Sequence, residues 1–212
     1  MKSSPVVIVL AAGLGSRFVG SAHKLAQELG SGSVLSQTLG HAIESRLPVI
    51  VVTTQALAAE ASRWVASRDV VVLPEVGSPG AEQLGMGYSI AAGVAARPHA
   101  AGWLMLPADM PLVKPSSLAQ VAQALGQQAV VYAQHRGRRG HPVAFAAELF
   151  SELVLLSGDE GARRLMVRYP SLGLELDDPG ILIDVDTTDD LARVRSSLQN
   201  MLASVSPTRT TG

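Results

Sequence analysis

The sequence VVIVLAAGLGSR, residues 6–17, joins an apolar run of β-strand character to a loop of small residues. An unbroken run of valine and isoleucine is typical of a buried parallel strand. Glycine and serine let the loop backbone approach a polyphosphate closely, with N–H groups directed at the anion. Arg17 and Lys24 would supply the positive charge. The residues that we predict to bind a nucleotide here are Leu10, Ala11, Ala12, Gly13, Gly15, Ser16, Arg17 and Lys24.

Two better-known phosphate-binding loops do not fit these residues. A Walker loop requires a lysine directly after its second glycine. Gly15 and Gly20 have the right spacing, but Ser21 occupies the lysine position. A dinucleotide-binding fingerprint requires a third glycine, where Phe18 stands, and an acidic residue after the second strand, where the sequence has Thr-Thr-Gln. The loop therefore belongs to another phosphate-binding type.

The first 13 residues have a second interpretation, as a secretory signal. Lys2 precedes the apolar run, and small residues follow at positions 11–13. The run is only about eight residues long, at the lower limit for such a signal, and Arg17 follows closely. A buried strand explains the same residues better.

Composition restricts the class of protein. At 212 residues, the chain suits one domain with a full hydrophobic core. Its net charge of −1, with both signs interspersed, gives no indication of nucleic-acid or anionic-membrane binding. The lack of cysteine excludes disulfides, thiolate nucleophiles, iron–sulfur clusters and cysteine-bound zinc. No apolar run approaches the roughly 20 residues needed to cross a bilayer, so we expect a soluble cytoplasmic protein.

Strand and helix patterns alternate along the chain. Apolar runs predict strands at 6–11, 49–53, 70–73, 103–107, 130–133, 143–145 and 181–185. Helical patterns lie at 34–46, 57–66, 89–96, 118–125, 146–156 and 189–202. This alternation predicts an α/β fold with a mostly parallel sheet and helices on both faces. We expect a single domain over 1–203, and a disordered tail over 204–212 that is rich in Ser, Thr, Pro and Gly.

Three acidic residues are candidates for a metal site. Asp109 follows a predicted strand between Pro107 and Pro111, at the sheet edge where α/β proteins bind ligands. Mg²⁺ usually takes one or two carboxylates and completes its shell with phosphate and water. Asp184 and Asp186 would share one face of the last predicted strand, and Asp186 is the better second ligand because it is nearer the strand end. Each aspartate has the alternative role of capping a turn or helix.

Three further segments contain candidate binding residues. Gly85, Gly87 and Ser89 would face the base and ribose, although glycine and serine before a helix are also ordinary capping residues. The segment 135–142 is basic and flexible; it is either a solvent-exposed hairpin turn or a loop for an anionic second substrate. Arg163 either faces the site or pairs with Asp159 one helical turn earlier. The candidate residues for the second substrate are Arg138, Arg139, Gly140, His141 and Arg163.

Seven of these pieces, in this order, resemble the molybdenum-cofactor cytidylyltransferase family. They are LAAGLGSR at 10–17, Lys24, GMGYS at 85–89, DMPLV at 109–113, GRRGHPVAF at 137–145, GDEGARRL at 158–165 and DVDTTDDL at 184–191. The resemblance implies a Rossmann-like three-layer sandwich of the nucleotide-diphospho-sugar transferase type. It also implies CTP, Mg²⁺ and a molybdopterin acceptor, with pyrophosphate released. Ala12 favours CTP, because guanylyl-transferring relatives tend to carry a glycine there.

The resemblance also implies residue roles. Arg17, Lys24 and Asp109 would be catalytic, and Asp109 and Asp186 would hold the metal. The nucleotide-binding half would span about 1–113 and the acceptor-binding half about 114–203. The chain departs from the family pattern in a longer loop up to Lys24, with His23 in place of a common proline.

Two other functions remain open at this point. An NAD(P)H-dependent oxidoreductase would use the same glycine loop, although Phe18 and the missing ribose-binding acid disfavour it. A non-catalytic protein of molybdenum-cofactor maturation or transport would bind the pterin and pass it to a partner enzyme. Such a carrier does not need the two metal-binding carboxylates.

Overall fold

The structure is a computed structural model that describes residues 4–13, 18, 23–74 and 85–205, with the backbone alone from 201 onward. In the described part of the chain, seven strands form one sheet in the order β5-β4-β1-β6-β8-β7-β9. A separate two-stranded hairpin is formed by β2 and β3. The strands are β1 (Val6–Ala11), β2 (Glu28–Leu29), β3 (Gly32–Ser33), β4 (Val49–Thr54), β5 (Val70–Leu73), β6 (Gly102–Pro107), β7 (Val130–His135), β8 (Arg138–Ala146) and β9 (Ser171–Glu175).

Helices cover both faces of this sheet. They are α1 (Val34–Glu44), α2 (Gln55–Ala61), α3 (Met86–Ala95), α4 (Pro115–Ala124), α5 (Phe150–Leu153), α6 (Arg163–Arg168) and α7 (Thr188–Val205). Val7 and Val9 of β1 pack in one core with α1, α4 and α7. The alternating residues Ile8 and Leu10 pack in a second core with α3 and α5. The two cores confirm the predicted three-layer, mostly parallel α/β fold.

The direction of β8 determines which residues reach the ligand-binding edge. β1 pairs in parallel with β4 and β6, whereas β8 runs antiparallel to both of its neighbours, β6 and β7. Met105 of β6 lies opposite Val143 of β8, so β8 begins at the edge where β6 ends. Arg136 and Gly137 form the two-residue turn before β8, both with positive φ, of 50° and 76°, as tight hairpins require.

Several predicted elements need correction. The predicted strand 181–185 is wrong: Pro179–Leu182 forms a 3₁₀ turn, and the chain then runs irregularly to Asp186. The turn forms there because Pro179 fixes its first φ and the Asp178 carboxylate accepts the Gly180 N–H. The edge strand β9 was not predicted. The predicted helix 146–156 is reduced to a 3₁₀ turn, Ala147–Leu149, and the short α5.

At its carboxyl end the chain stays helical beyond the predicted boundary. α7 continues to Val205, so the first two residues of the predicted tail are helical, and 206–212 lie outside the described residues. None of the helices in the described ranges combines the length and the apolar character that crossing a membrane requires.

Candidate active site

A cavity of about 500 Å³ opens at the carboxyl edge of the sheet. Its described lining includes Gly13 after β1, Asp109 after β6 and the first residues of β8. The charged side chains among these residues are Lys24, Asp109, Arg138, Arg139, Asp184 and Asp186. The fold therefore brings together residues that are far apart in the sequence.

Asp109 is fixed by the backbone around it. The Ala108 N–H donates to Leu10 O of β1 at 3.0 Å, and the buried Thr38 hydroxyl of α1 donates to Ala108 O at 2.8 Å. The Asp109 carbonyl accepts a hydrogen bond of 2.9 Å from Val185 N. This last bond joins the Asp109 loop directly to the segment that carries Asp184 and Asp186.

Lys24 lies between the carboxylates of Asp109 and Asp186. Its Nζ is 2.6 Å from Asp109 Oδ2 and 2.8 Å from Asp186 Oδ1. The three side chains are 12%, 18% and 21% exposed, respectively. Burial lowers the pKa of Lys24, but the charges and hydrogen bonds of both carboxylates outweigh burial and hold the pKa above its usual value. Lys24 is therefore a fully charged ammonium shared by two carboxylates.

The surroundings of this triad contain further ionisable groups. Burial raises the pKa of Asp184, and the negative charges of Asp109 and Asp186 add to the increase. Burial lowers the pKa of His141, although the charge of Asp109 acts in the opposite direction, so the imidazole is neutral at pH 7. Two buried atoms, Asp109 Oδ1 and His141 Nδ1, have no hydrogen-bond partner among the described residues.

The predicted basic loop belongs to a strand. Arg138, Arg139 and His141 are the first residues of β8 and line the cavity, so the segment is neither a free loop nor a purely solvent-exposed turn. The Arg139 guanidinium lies over the Tyr132 ring, with Cζ 4.0 Å from the ring centroid. A stack of this kind restricts the arginine while leaving its N–H groups free for an anion.

His23, noted above as a departure from the family pattern, connects the two ends of the predicted phosphate loop. Its Nδ1 accepts the Leu25 N–H at 3.2 Å, so the neutral ring carries its proton on Nε2. Nε2 then donates to Gly13 O at 3.1 Å. This hydrogen bond holds the chain before Lys24 against the end of β1. Gly15, Ser16 and Arg17 lie outside the described residues.

Comparison with known proteins shows which family this chain belongs to. Residues 7–172 match the MobA-like NTP transferase domain. The chain belongs to this family. A MobA-like NTP transferase is a nucleotidyltransferase. Membership of this family therefore counts against the alternative function as an oxidoreductase. The described lining residues Gly13, Lys24, Asp109, Arg138 and His141 all lie within the matched region.

Two relatives by sequence are matched over only part of their own length. The bifunctional protein GlmU of Xanthomonas oryzae pv. oryzae is 31% identical over 144 residues, which are 64% of this chain and 29% of GlmU. The purine catabolism protein PucB of Bacillus subtilis is 33% identical over 120 residues, 54% of this chain and 58% of PucB. The matched region thus spans less than two thirds of either relative.

A solved structure of similar size matches nearly the whole MobA-like chain. Rv0371c of Mycobacterium tuberculosis superimposes with a TM-score of 0.78 at 28% identity, over 92% of this chain and 99% of its own. A second structure of Rv0371c, in complex with manganese, superimposes with a TM-score of 0.73 at 25% identity, over 92% of this chain and 100% of its own. These neighbours share the three-layer fold described above.

The glycines of the predicted base-binding segment have a packing role in this MobA-like transferase. A Cβ at Gly85 or Gly87 would lie 2.5 Å from backbone atoms of the 157–158 loop. Gly87 N–H donates to Gly158 O at 2.8 Å, and the buried Ser89 hydroxyl bonds the Gly85 carbonyl of its own helix. None of Gly85, Gly87 and Ser89 is among the described lining residues. The cavity is lined there by Met86, which the sequence did not single out.

The remaining predicted residues occupy different positions. Leu10 and Ala11 are buried within β1, and Ala12 packs at the edge of the second core. Arg163 begins α6 and is absent from the described lining; the ion pairs of that helix join Arg164 to Glu160 at 2.6 Å and Arg168 to Glu152 at 2.9 Å. Thr38 and Tyr132 are supporting residues that carried no recognisable signal in the sequence.

Proposed function

We propose that this nucleotidyltransferase moves CMP from CTP to a phosphorylated pterin acceptor, molybdopterin, and releases pyrophosphate. An acceptor phosphate oxygen forms a bond to the α-phosphorus of CTP, and the bond from that phosphorus to the bridging oxygen of the β-phosphate breaks. An acceptor phosphate is already ionised near neutral pH, so no general base is required. The protein's contribution is then positioning and charge neutralisation. The observation that carries the proposal is the Lys24 ammonium between Asp109 and Asp186 inside the cavity.

A divalent cation fits the residues present. Two carboxylate oxygens already contact a single positive charge, and Asp109 Oδ1 has no partner among the described residues. The described ranges contain no cluster of three or more metal-ligating side chains, which suits Mg²⁺ because phosphate and water complete its shell. Asp109 and Asp186 would hold the ion. When bound, it would offset negative charge on the phosphates, and the manganese complex of Rv0371c supports such a site.

Residues of the cavity have distinct roles in this proposal. Lys24 donates hydrogen bonds to the departing pyrophosphate, and Arg17, which lies outside the described residues, would add a second positive charge. Gly13 lets the backbone approach the phosphates. Arg138 and Arg139 receive the anionic acceptor, and the neutral His141 lies beside them without adding a charge. Ala12, by the family resemblance, supports CTP over GTP.

Pyrophosphate release tests this function directly. Purified protein is incubated with molybdopterin, Mg²⁺ and each of CTP, GTP, ATP and UTP in turn. We expect release with CTP, and a fall in the rate on the order of 10² or more in the Asp109→Asn variant, because a carboxylate that would hold the phosphate-neutralising cation is lost. If the wild-type protein releases pyrophosphate with GTP alone, GTP takes the place of CTP in the proposal. Tight binding of molybdopterin with no release for any nucleotide would favour the non-catalytic carrier.

A further inference from the structure

Asp178 is a buried carboxylate outside the cavity. It is 2% exposed, and its oxygens accept three hydrogen bonds. Oδ2 accepts from Lys114 N at 2.9 Å and from the Ser117 hydroxyl at 2.6 Å, while Oδ1 accepts from Gly180 N at 3.0 Å. A buried carboxylate is costly unless its oxygens are hydrogen-bonded, and here the hydrogen bonds join two distant segments.

These hydrogen bonds connect the two parts of the chain that carry the site. Lys114 and Ser117 belong to the start of α4, which follows the Asp109 loop directly, and α4 has no side-chain cap of its own at Lys114. Asp178 supplies the missing negative cap from another segment, a favourable position for a carboxylate. On the other side, Asp178 begins the 3₁₀ turn that leads to Asp184 and Asp186. One side chain therefore links the Asp109 loop to the segment of Asp186.

The turn that follows Asp178 packs closely on two sides. A Cβ on Gly180 would lie 2.1 Å from Leu112 O, and a Cβ on Gly140 would lie 2.2 Å from Ile181 O. The backbone of the turn is thus in direct contact with the Asp109 loop on one side and with β8 on the other. Three residues after the turn, Val185 N bonds Asp109 O. The carboxylate of Asp186 reaches Lys24 from this fixed backbone.

We propose that Asp178 is a positioning residue that holds Asp186 opposite Asp109, so that the two carboxylates share one cation. The inference rests on the proposed function, because it assigns to that pair the binding of a divalent ion with CTP. Asp178 itself does not line the cavity. Its loss would let the 178–186 segment move away from the Asp109 loop, and the second metal-binding carboxylate would move with it.

Asp178→Asn tests this inference, because an amide cannot accept all three hydrogen bonds. Mn²⁺ affinity is measured in the presence of CTP and without acceptor, by calorimetry and by water-proton relaxation. We expect Mn²⁺ affinity to fall about 10- to 100-fold, the usual effect of losing a residue that orients a metal ligand. At saturating Mn²⁺ we also expect kcat to fall while KM for CTP changes little. Ser117→Ala, which removes a single hydrogen bond and leaves the carboxylate, is the matched control and should keep near wild-type Mn²⁺ affinity.

A merely structural role gives a different pattern. A folded Asp178→Asn protein with a lower melting temperature but wild-type Mn²⁺ affinity and kcat would overturn the inference. If that variant does not fold, Gly180→Ala decides the question, because it keeps Asp178 and displaces the turn from Leu112; we expect the same loss of Mn²⁺ affinity. Failure of both variants to fold would make Asp178 a folding residue only and would likewise overturn the inference. Wild-type protein that binds no Mn²⁺ with CTP and releases no pyrophosphate would instead refute the proposed function, and the inference with it.

Discussion

Lys24→Met is expected to destabilise the protein and to make it sensitive to divalent metal. Methionine retains the length and the apolar stem of lysine but removes the charge. The carboxylates of Asp109 and Asp186 then lose the ammonium that lies 2.6 and 2.8 Å from their oxygens. The negative charges of Asp109, Asp186 and the nearby Asp184 are then no longer balanced by this ammonium.

The expected size of the effect follows from burial. Removing one partner of a buried ion pair costs about 3–5 kcal/mol, and exposures of 12–21% for these side chains place the loss near the lower end, at about 3 kcal/mol. For a chain of this length, each kcal/mol corresponds to roughly 2–4 °C in melting temperature. We therefore expect a decrease of about 6–12 °C at pH 7.

Divalent metal should reverse this loss. Without the ammonium, the carboxylate pair is open to Mn²⁺ even in the absence of nucleotide, and a ligand that binds only the folded state raises stability. Thermal unfolding with and without Mn²⁺ measures both effects. Wild type should gain little from Mn²⁺ alone, because Lys24 already neutralises the pair.

A second lysine provides the control. Lys114 is exposed, and among the described residues its ammonium bonds the Asp177 carbonyl alone, so Lys114→Met should change the free energy of unfolding by no more than about 0.5 kcal/mol. A Lys24→Met protein that is as stable as wild type, or that gains no more than wild type from Mn²⁺, would refute the role of Lys24 as the cation of this pair.

Three other substitutions test separate parts of the structure. Arg139→Leu should raise KM for the acceptor several-fold and leave KM for CTP unchanged; a change in CTP alone would contradict the acceptor role. Gly87→Ala should cost more than about 2 kcal/mol in denaturant unfolding because its Cβ meets backbone, whereas Gly126→Ala, with open space at its Cβ, should be nearly neutral. Asp190→Ala should cost about 1 kcal/mol at pH 7. Hydrogen bonds from Thr187 lower the pKa of Asp190. The difference in unfolding free energy between wild type and variant should therefore be complete above the usual aspartate pKa and vanish as the pH falls through the lowered pKa of Asp190. A difference in stability that persists in acid would contradict this role of Asp190.

Most of the sheet was predictable because its strands are apolar and short. β1 and β5 have the predicted bounds, because an unbroken run of β-branched apolar residues is typical of a buried parallel strand. The run 181–183 is likewise apolar, yet its first two residues belong to the 3₁₀ turn Pro179–Leu182, in which Ile181 is completely buried. A short apolar run does not distinguish a strand from another buried segment. β9 was missed because only Leu172 and Leu174 of this edge strand pack against the core.

The position of a candidate residue was predictable where it directly follows a strand. It was less predictable where contacts between segments far apart in the sequence determine it. Asp109 lies at the expected edge because it directly follows β6. Asp186 is close to Asp109, but not for the predicted reason. The segment before it is a 3₁₀ turn packed between the Asp109 loop and β8, not a strand. Gly87 packs closely on the 157–158 loop, and a glycine that permits close backbone packing has the same sequence signature as one that permits close approach of a ligand; its contact with the nucleotide stays a prediction.

Charge balance in the cavity explains why metal and nucleotide should bind together. Among the described lining residues, three cations, Lys24, Arg138 and Arg139, face three carboxylates, Asp109, Asp184 and Asp186. A divalent ion alone must displace Lys24 from the two carboxylates, and a triphosphate alone meets the same carboxylates as repelling charges. In the proposed mechanism, Asp109 and Asp186 would hold the ion when both are bound, and the Lys24 ammonium would be free to contact the phosphates, so that each charge would retain a partner. The antiparallel β8 completes this arrangement, because only that direction brings Arg138 and Arg139 to the edge where β1 and β6 end.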